Sequence, residues 1–469
     1  MRIVLLFAAA SLGVSAGDGV LDRVAAHAAR FEAISREIWE NPELGFHENR
    51  SSALLQNELR ANGFTVKPGL AGMPTAFTAE FGSGKPVIAL MGEFDALPGM
   101  SQKESAAMSP VTEGAPGHAC GHNLLGSASA LAAVAVKEEM QARGLKGTLR
   151  YFGTPAEEGG GGKIYLIHAG LFRDVDAVLD WHPGDANRVS LGSTLANNGA
   201  LFRFYGIASH AAAAPERGRS ALDGAMIMLN AVEMLREHVP QETRIHYIIT
   251  NGGAAPNIVP AFAEVHLVAR NPDAAVLNGI WERILKCAQA GALASETRLE
   301  VVQSTNYANI VPNEVLSEVL GRAMVRAGGY EYTPEERAFV TGIQKTLGAA
   351  TDHAGPEKVL ADKSAPQTMA SSDAGDVSWN VPYANLTAAT FAPGVSAHTW
   401  QAAACAGSSI GRKGMLVAAR TLALGAAELF DKPEEVAAAH VAFEKRLAGR
   451  SWVTHIAPGS KPPLDYAVK

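Results

Sequence analysis

Apolar positions along the chain follow two rhythms. Over 21–40 and 51–62 they recur at helical spacing, the second run stopping at Gly63. Between 76 and 91 two strand-like runs follow, at 76–81 and 86–91. The second contains Val87-Ile88-Ala89-Leu90-Met91, apolar at every position, as a strand covered on both faces requires. A helix of small and apolar residues is predicted over 124–143, then a strand at 148–152, a helix near 163–169 and a strand at 177–180. Strands alternating with helices predict an α/β sheet with helices on its faces.

The pattern changes after about residue 195. Strands at 200–207, 244–250, 263–269 and 298–303, with helices at 220–237 and 274–291, predict a compact α+β unit inserted into the first. From 312 the α/β pattern resumes, with a helix at 313–327, a strand at 385–391 and a helix at 411–430. Residues 340–383 carry little pattern and are expected to be loops. The predicted organisation is therefore 17–195 and 307–430 for the α/β part, 196–306 for the insertion, and 431–469 for a helix and a Pro-rich tail. Residues 1–16, MRIVLLFAAASLGVSA, combine a basic start, a short apolar stretch and small residues. That is the form of a secretory signal peptide cleaved after Ala16, too short to span a bilayer, which takes ~20 apolar residues. A periplasmic or secreted location is expected, and no later segment is predicted to cross a membrane.

Apolar residues make up 47% of the chain and charged residues 19%, enough for a large core and against dominant disorder. A net charge of −7 argues against nucleic acid as the main partner, because phosphates require basic patches. Three cysteines, Cys120, Cys287 and Cys405, are no disulfide framework.

The densest chemistry is Gly117-His118-Ala119-Cys120-Gly121-His122-Asn123, directly before a predicted helix. Thiolate and imidazole are ligands for zinc and related divalent metals, and Gly121 permits a bend that turns Cys120 and His122 to one point. Thr154-Pro155-Ala156-Glu157-Glu158 follows a strand, where open α/β sheets place their sites. Adjacent carboxylates there can divide the work, one ligating metal while the other acts as a base. Asp180-Trp181-His182-Pro183, Glu93-Phe94-Asp95 and Ala397-His398-Thr399 also follow strands. Several ligand-type residues converging on one rim predict a metal site. Gly159–Gly162 with Lys163 suggests a phosphate loop, but Glu157 and Ile164 stand where that pattern needs Gly and Ser/Thr.

In order along the chain, GEFDALPG (92–99), GHACGHN (117–123), GTPAEEGGGGK (153–163), DWHP (180–183), GIASHAAAAPERGRSALDGA (206–225), NGGAAPNIVPAFAEVHLVAR (251–270), ASSDAGDVSWNVP (370–382) and SAHTW (396–400) closely resemble the M20 metallopeptidases. The resemblance covers roughly residues 20–430. It is narrowest to the amidohydrolase branch of aminoacylases and indole-acetyl-amino-acid hydrolases, and within it to p-aminobenzoyl-glutamate hydrolases. It implies a zinc-peptidase-like catalytic α/β domain with two divalent metals, zinc or manganese, and an inserted lid that also forms a homodimer. By the same resemblance Cys120, His122, Glu158, His182 and His398 are the metal ligands and Glu157 the general base. His210 is a lid histidine reaching into the partner's site, while Asn257 and Arg270 hold the substrate's carboxylate. Asn123 stands where many aminoacylases carry Asp; in this the chain resembles the p-aminobenzoyl-glutamate group.

The implied reaction is hydrolysis of the amide of an N-acyl or N-aroyl amino acid, with Glu157 moving the proton. A dipeptidase or carboxypeptidase of the same fold is the alternative, and a periplasmic ligand-binding protein a remote one.

Overall fold

The computed structural model describes residues 18–189, 191–348, 355–360 and 368–467; the expected signal segment 1–16 lies outside the described residues. The chain begins with helices α1 (Asp18–Glu40) and α2 (Asn49–Ala61), then strands β1 (Thr65–Pro68), β2 (Phe77–Ser83) and β3 (Val87–Gly92). Helix α3 (His122–Arg143), β4 (Gly147–Gly153), α4 (Gly162–His168), β5 (Ala177–Gly184) and the short β6 (Asn187–Val189) follow. A second group comprises β7 (Ala196–Tyr205), α5 (Ala221–Leu235), β8 (Arg244–Asn251), β9 (Phe262–Asn271), α6 (Ala274–Ala294) and β10 (Arg298–Tyr307). The chain then returns through α7 (Glu314–Ala327), α8 (Pro334–Gln344), β11 (Val359–Leu360), α9 (Ala374–Ser378), β12 (Tyr383–Ala389), α10 (Trp400–Gly407), α11 (Ser409–Asp431) and α12 (Pro433–Leu447).

The first and last groups build one eight-stranded sheet, in the order β1-β2-β4-β3-β5-β12-β6-β11. Its centre, β4-β3-β5-β12, is parallel. Strand β3 is buried at every residue, so its unbroken apolar run is satisfied from both sides. On one face α3 packs against α1 and α11. Alanine, glycine and serine dominate the buried length of α3, which lets it lie close to the sheet. At Gly126 the approach is closest: a Cβ there would sit 2.7 Å from the Glu93 carbonyl oxygen, so only glycine fits. Because the four central strands run the same way, their carboxyl ends share one rim. Glu93, Glu157, Glu158, His182 and His398 all lie at or beyond those ends.

The second group forms a separate antiparallel sheet, β10-β7-β9-β8, packed on α5 and α6. Strand β9 alternates buried and half-buried residues along its whole length, the period-2 signature of a sheet with one covered face. Its core, with Phe202, Phe204, Val265, Leu267 and Trp281, is distinct from that of the large sheet.

The segment after α12 runs back across the molecule. Trp452 Nε1 donates to Asp376 Oδ1 at 2.7 Å, and the His455 amide donates to Asn306 Oδ1 at 2.6 Å. Farther on, the Tyr466 hydroxyl donates to the Glu158 carbonyl at 3.0 Å, and its ring meets Phe46 edge-on.

Three differences from the sequence pattern stand out. The 340–383 stretch is not all loop: α8 extends to Gln344, and β11 and α9 lie within it. Helix α8 is opened by a capping box between Thr333 and Glu336, ahead of the patternless stretch. The strand expected at 385–391 lies two residues earlier, and β1 and β6 are additional to the expected strands. Strands as short as β6 and β11 carry no period to detect.

Candidate metal centre

Each functional side chain is set by a strand end or a sharp turn. Gly121 adopts a left-handed conformation (φ 78°) just before α3, placing Cys120 outside the helix and His122 at its first position. Ala156 (φ 57°) bends the chain after β4, leading into Glu157 and Glu158. His398 is itself left-handed (φ 63°), and its amide donates to the Ala119 carbonyl at 2.9 Å, tying that loop to the Cys120 loop.

These turns gather the expected ligands. The donor atoms of Cys120, His122 and His182 lie within 4.8 Å of one another, as do those of Cys120, Glu158 and His398. Cys120 belongs to both sets, so its sulfur stands between them, and it is 3.4 Å from His182 Nε2. A third set joins Glu93, His122 and Glu157. The rings are oriented from behind. His122 Nδ1 pairs with Asp95 Oδ1 at 2.8 Å, and His182 Nδ1 with the Pro183 carbonyl at 2.8 Å, which leaves each Nε2 facing the cluster. Asp95 also accepts from the Glu158 amide at 2.9 Å, linking two ligand loops through one carboxylate.

The residues fit divalent cations. His122 Nε2, Glu93 Oε2 and Glu158 Oε1 are buried and make no hydrogen bond, an arrangement that is costly unless something else satisfies them. One thiol, three imidazoles and a carboxylate form a mixed S/N/O donor set suited to zinc and its neighbours. His118 remains outside the cluster; burial and then His122 push it down to about 3, so it stays neutral.

Behind the cluster lies a feature that no sequence motif marks. Lys163 is fully buried, and its Nζ donates to Glu93 Oε1 and to Asp373 Oδ1, both at 2.6 Å. Asp373 Oδ2 in turn accepts the Lys163 amide at 2.9 Å. Burial alone would lower the Lys163 pKa, but Asp373, Glu93 and Glu157 hold it well above the ordinary value. Burial would raise Glu93, yet Lys163 and His122 bring it below the usual carboxylate range. Glu157 goes the other way: burial, then Glu93, Glu158 and Asp373, push it well above that range. In the sequence Lys163 reads as part of a failed phosphate loop and closes the 153–163 motif of the resemblance, with no role assigned in either. Glu93, Asp95 and Asp373 stand inside the motifs of the resemblance without a role there. A charged residue directly after a wholly apolar strand is the available signal.

A cavity of about 530 Å³ opens over the cluster. Glu93, Cys120, Glu157, Glu158, His182 and His398 are on its wall, and Arg270 from β9 reaches it from the small sheet. His210 and Asn257 are exposed and do not line it. They sit together instead: the Ala211 amide donates to the Asn257 carbonyl at 3.0 Å, and His210 bridges Ile258.

The family model described as Peptidase family M20/M25/M40 matches residues 89–423. The chain is 42% identical over 436 residues to one of the subunits of the p-aminobenzoyl-glutamate hydrolase of Escherichia coli, covering 87% of this chain and 91% of that protein. It is 31% identical over 451 residues to the Xaa-Arg dipeptidase of Homo sapiens, covering 92% of each. Among solved structures, a dinuclear metal-binding peptidase of the M20 family from Bacillus subtilis superposes with a TM-score of 0.60 at 17% identity, over 87% of this chain and 99% of that one.

Replacing Lys163 with Met leaves two buried carboxylates without their shared cation. The Lys163→Met protein, freed of metal, is expected to lose about 3–5 kcal/mol of unfolding free energy in urea. A loss below about 1 kcal/mol would show that the two carboxylates do not depend on it.

Proposed function

We infer the function from one premise: the chain belongs to peptidase family M20/M25/M40, whose model covers well over half of it. It is a hydrolase of amide bonds that works with divalent metal ions. We propose that its substrate is an N-aroyl or N-acyl amino acid of the p-aminobenzoyl-glutamate type. The observation that carries this reading is the 42% identity, over nearly the whole chain, with a component of a p-aminobenzoyl-glutamate hydrolase. The similarity to an Xaa-Arg dipeptidase favours dipeptides as the second reading.

The metals in this reading are two zinc or manganese ions held by Cys120, His122, Glu158, His182 and His398. When bound, such ions supply Lewis acidity and bring the pKa of a water from 15.7 to about 7. The protein's part is positional and protonic. Glu157 accepts the proton of the attacking water and returns it to the departing nitrogen. An amine leaves poorly unless protonated, and the burial that raises Glu157's proton affinity makes it a competent donor for that second step. Asp95 keeps His122 in one tautomer. Arg270, a cation on the cavity wall, binds the carboxylate of the amino-acid half. Asn257, which sits beside His210 and off this cavity, would reach the carboxylate in the partner's site.

His210 stands away from the cavity of its own chain, and we assign it to the partner's site in a homodimer formed through the small sheet. Support comes from the exposed apolar side chains there, Ile248 and Ile249 on β8 and Met226 and Met234 on α5. In the partner's cavity His210 would donate to the oxyanion as the carbonyl is attacked. Export to the periplasm, read from residues 1–16, completes the proposal.

Three outcomes are expected. The purified chain with added Zn(II) or Mn(II) releases p-aminobenzoate from p-aminobenzoyl-glutamate, whereas Glu157→Gln keeps its metal and loses about 10²–10⁴-fold in turnover. Near-full activity in Glu157→Gln would remove it from the proton path; cleavage of Xaa-Arg dipeptides alone would move the substrate to the second reading. Second, mixing inactive Glu157→Gln with inactive His210→Ala should restore about a quarter of wild-type activity, because half of randomly paired symmetric dimers carry one intact composite site. No recovery would place His210 in its own site. Third, N-terminal sequencing of protein from an exporting cell should begin at Gly17, and an intact Met1 would exclude cleavage.

A further inference from the structure

Glu93 has no role in the reading above, yet its placement resembles that of an assigned ligand. It directly follows β3 on the rim and is 3% exposed. Its two oxygens are used differently. Oε1 accepts from Lys163 Nζ at 2.6 Å, and that ammonium is fixed on its far side by Asp373. Oε2 lies 3.2 Å from His122 Nε2, and neither atom makes a hydrogen bond. His122 cannot turn to use its other nitrogen there, because Nδ1 is engaged by Asp95. A carboxylate oxygen and a ring nitrogen this close, buried and not aligned as donor and acceptor, aim at a common third point rather than at each other.

The same arrangement occurs once more in the cluster. Glu158 Oε1 lies 3.2 Å from His398 Nε2, and it too is buried without a hydrogen bond. Those two residues are the carboxylate and imidazole expected to share one cation. The Glu93–His122 pair, grouped with Glu157, therefore repeats the arrangement that Glu158 and His398 show beside Cys120.

We propose that Glu93 is an additional metal ligand, offering Oε2 to the cation that His122 Nε2 binds, while Lys163 and Asp373 hold Oε1 in place. Lys163 and Asp373 are then positioning residues. The ammonium occupies one oxygen and thereby favours monodentate ligation by the other, and Asp373 balances the charge.

This inference rests on the reading of a two-cation site, and metal binding tests the two separately. Metal-free protein is titrated with Zn(II) by calorimetry, and metal content is measured after gel filtration. Two variants are compared with the parent protein. Glu93→Gln removes the charge. Glu93→Asp keeps a negative charge facing Lys163 but, one methylene shorter, draws the carboxylate back by about 1.5 Å, so that it no longer reaches the zinc–oxygen distance of about 2.0–2.2 Å. Binding of two ions by the parent, with one of them weakened about 10–100-fold in both variants, is the expected result. The Co(II)-substituted proteins should differ as well, the visible d–d bands changing intensity as one donor is lost while the Cys120 thiolate band persists. Two ions bound by both variants within about twofold of the parent's affinities, with unchanged Co(II) spectra, would overturn the proposal and leave Glu93 as a counter-charge for Lys163. Fewer than two ions on the parent would overturn the two-cation reading itself, and the proposal with it. If Glu93→Gln does not fold, Glu93→Asp decides alone.

Discussion

Glu93 and Asp373 share the single ammonium of Lys163, and the rim of the large sheet is organised around that contact. The rim is unusually rich in buried acid: Glu48, Glu93, Asp95, Glu157, Asp180 and Asp373 are all buried there. Charges at this density repel, and burial raises the cost of each. The protein answers with several devices. Lys163 serves Glu93 and Asp373. The Thr75 hydroxyl and the Ala156 amide donate to Glu48, whose pKa burial and Asp95 nonetheless push up to about 8. The Tyr383 hydroxyl and the Trp181 amide donate to Asp180, which burial and Glu93 push to about 7. What remains unneutralised faces the cavity, which is where cations would enter.

This arrangement also divides the proton affinities. Glu157 and Glu158 are neighbours in sequence, but their surroundings separate them. Glu158 is buried too, yet His398 and His122 hold it below the ordinary carboxylate range, whereas Glu157 faces Glu93, Glu158 and Asp373 and is pushed above it. A ligand must remain ionised and a proton carrier must exchange, so the difference suits the roles proposed for Glu158 and Glu157. It comes from packing and not from residue type.

Much of this is legible in the sequence, for reasons that differ by element. Strand β3 announces itself because every residue in it is apolar, and the small sheet because β9 alternates. The donor set is legible because its members sit at sharp turns following strands, and Cys-Gly-His is compact. Lys163 is not legible. Its partners are 70 and 210 residues away, and a lysine beside four glycines reads as an exposed loop. Nor can any periodicity reveal β11, two residues held by main-chain bonds to β6. Arg270 falls just beyond the strand expected at 263–269; β9 runs on to Asn271, and its pairing with β7 turns Arg270 toward the cavity.

The segment that follows α12 holds Asp376 through Trp452, Asn306 through Thr454 and His455, and the Glu158 loop through Tyr466. Residues 451–467 leave the ribosome after every other group that builds the rim. The nascent chain can therefore form both sheets and the Cys120 turn before the Glu158 loop receives its last hydrogen bond. The last hydrogen bond of the Glu158 loop thus comes from the last stretch of chain to be synthesised, a strap whose Trp452, Ile456 and Tyr466 rest partly buried against two of the cores.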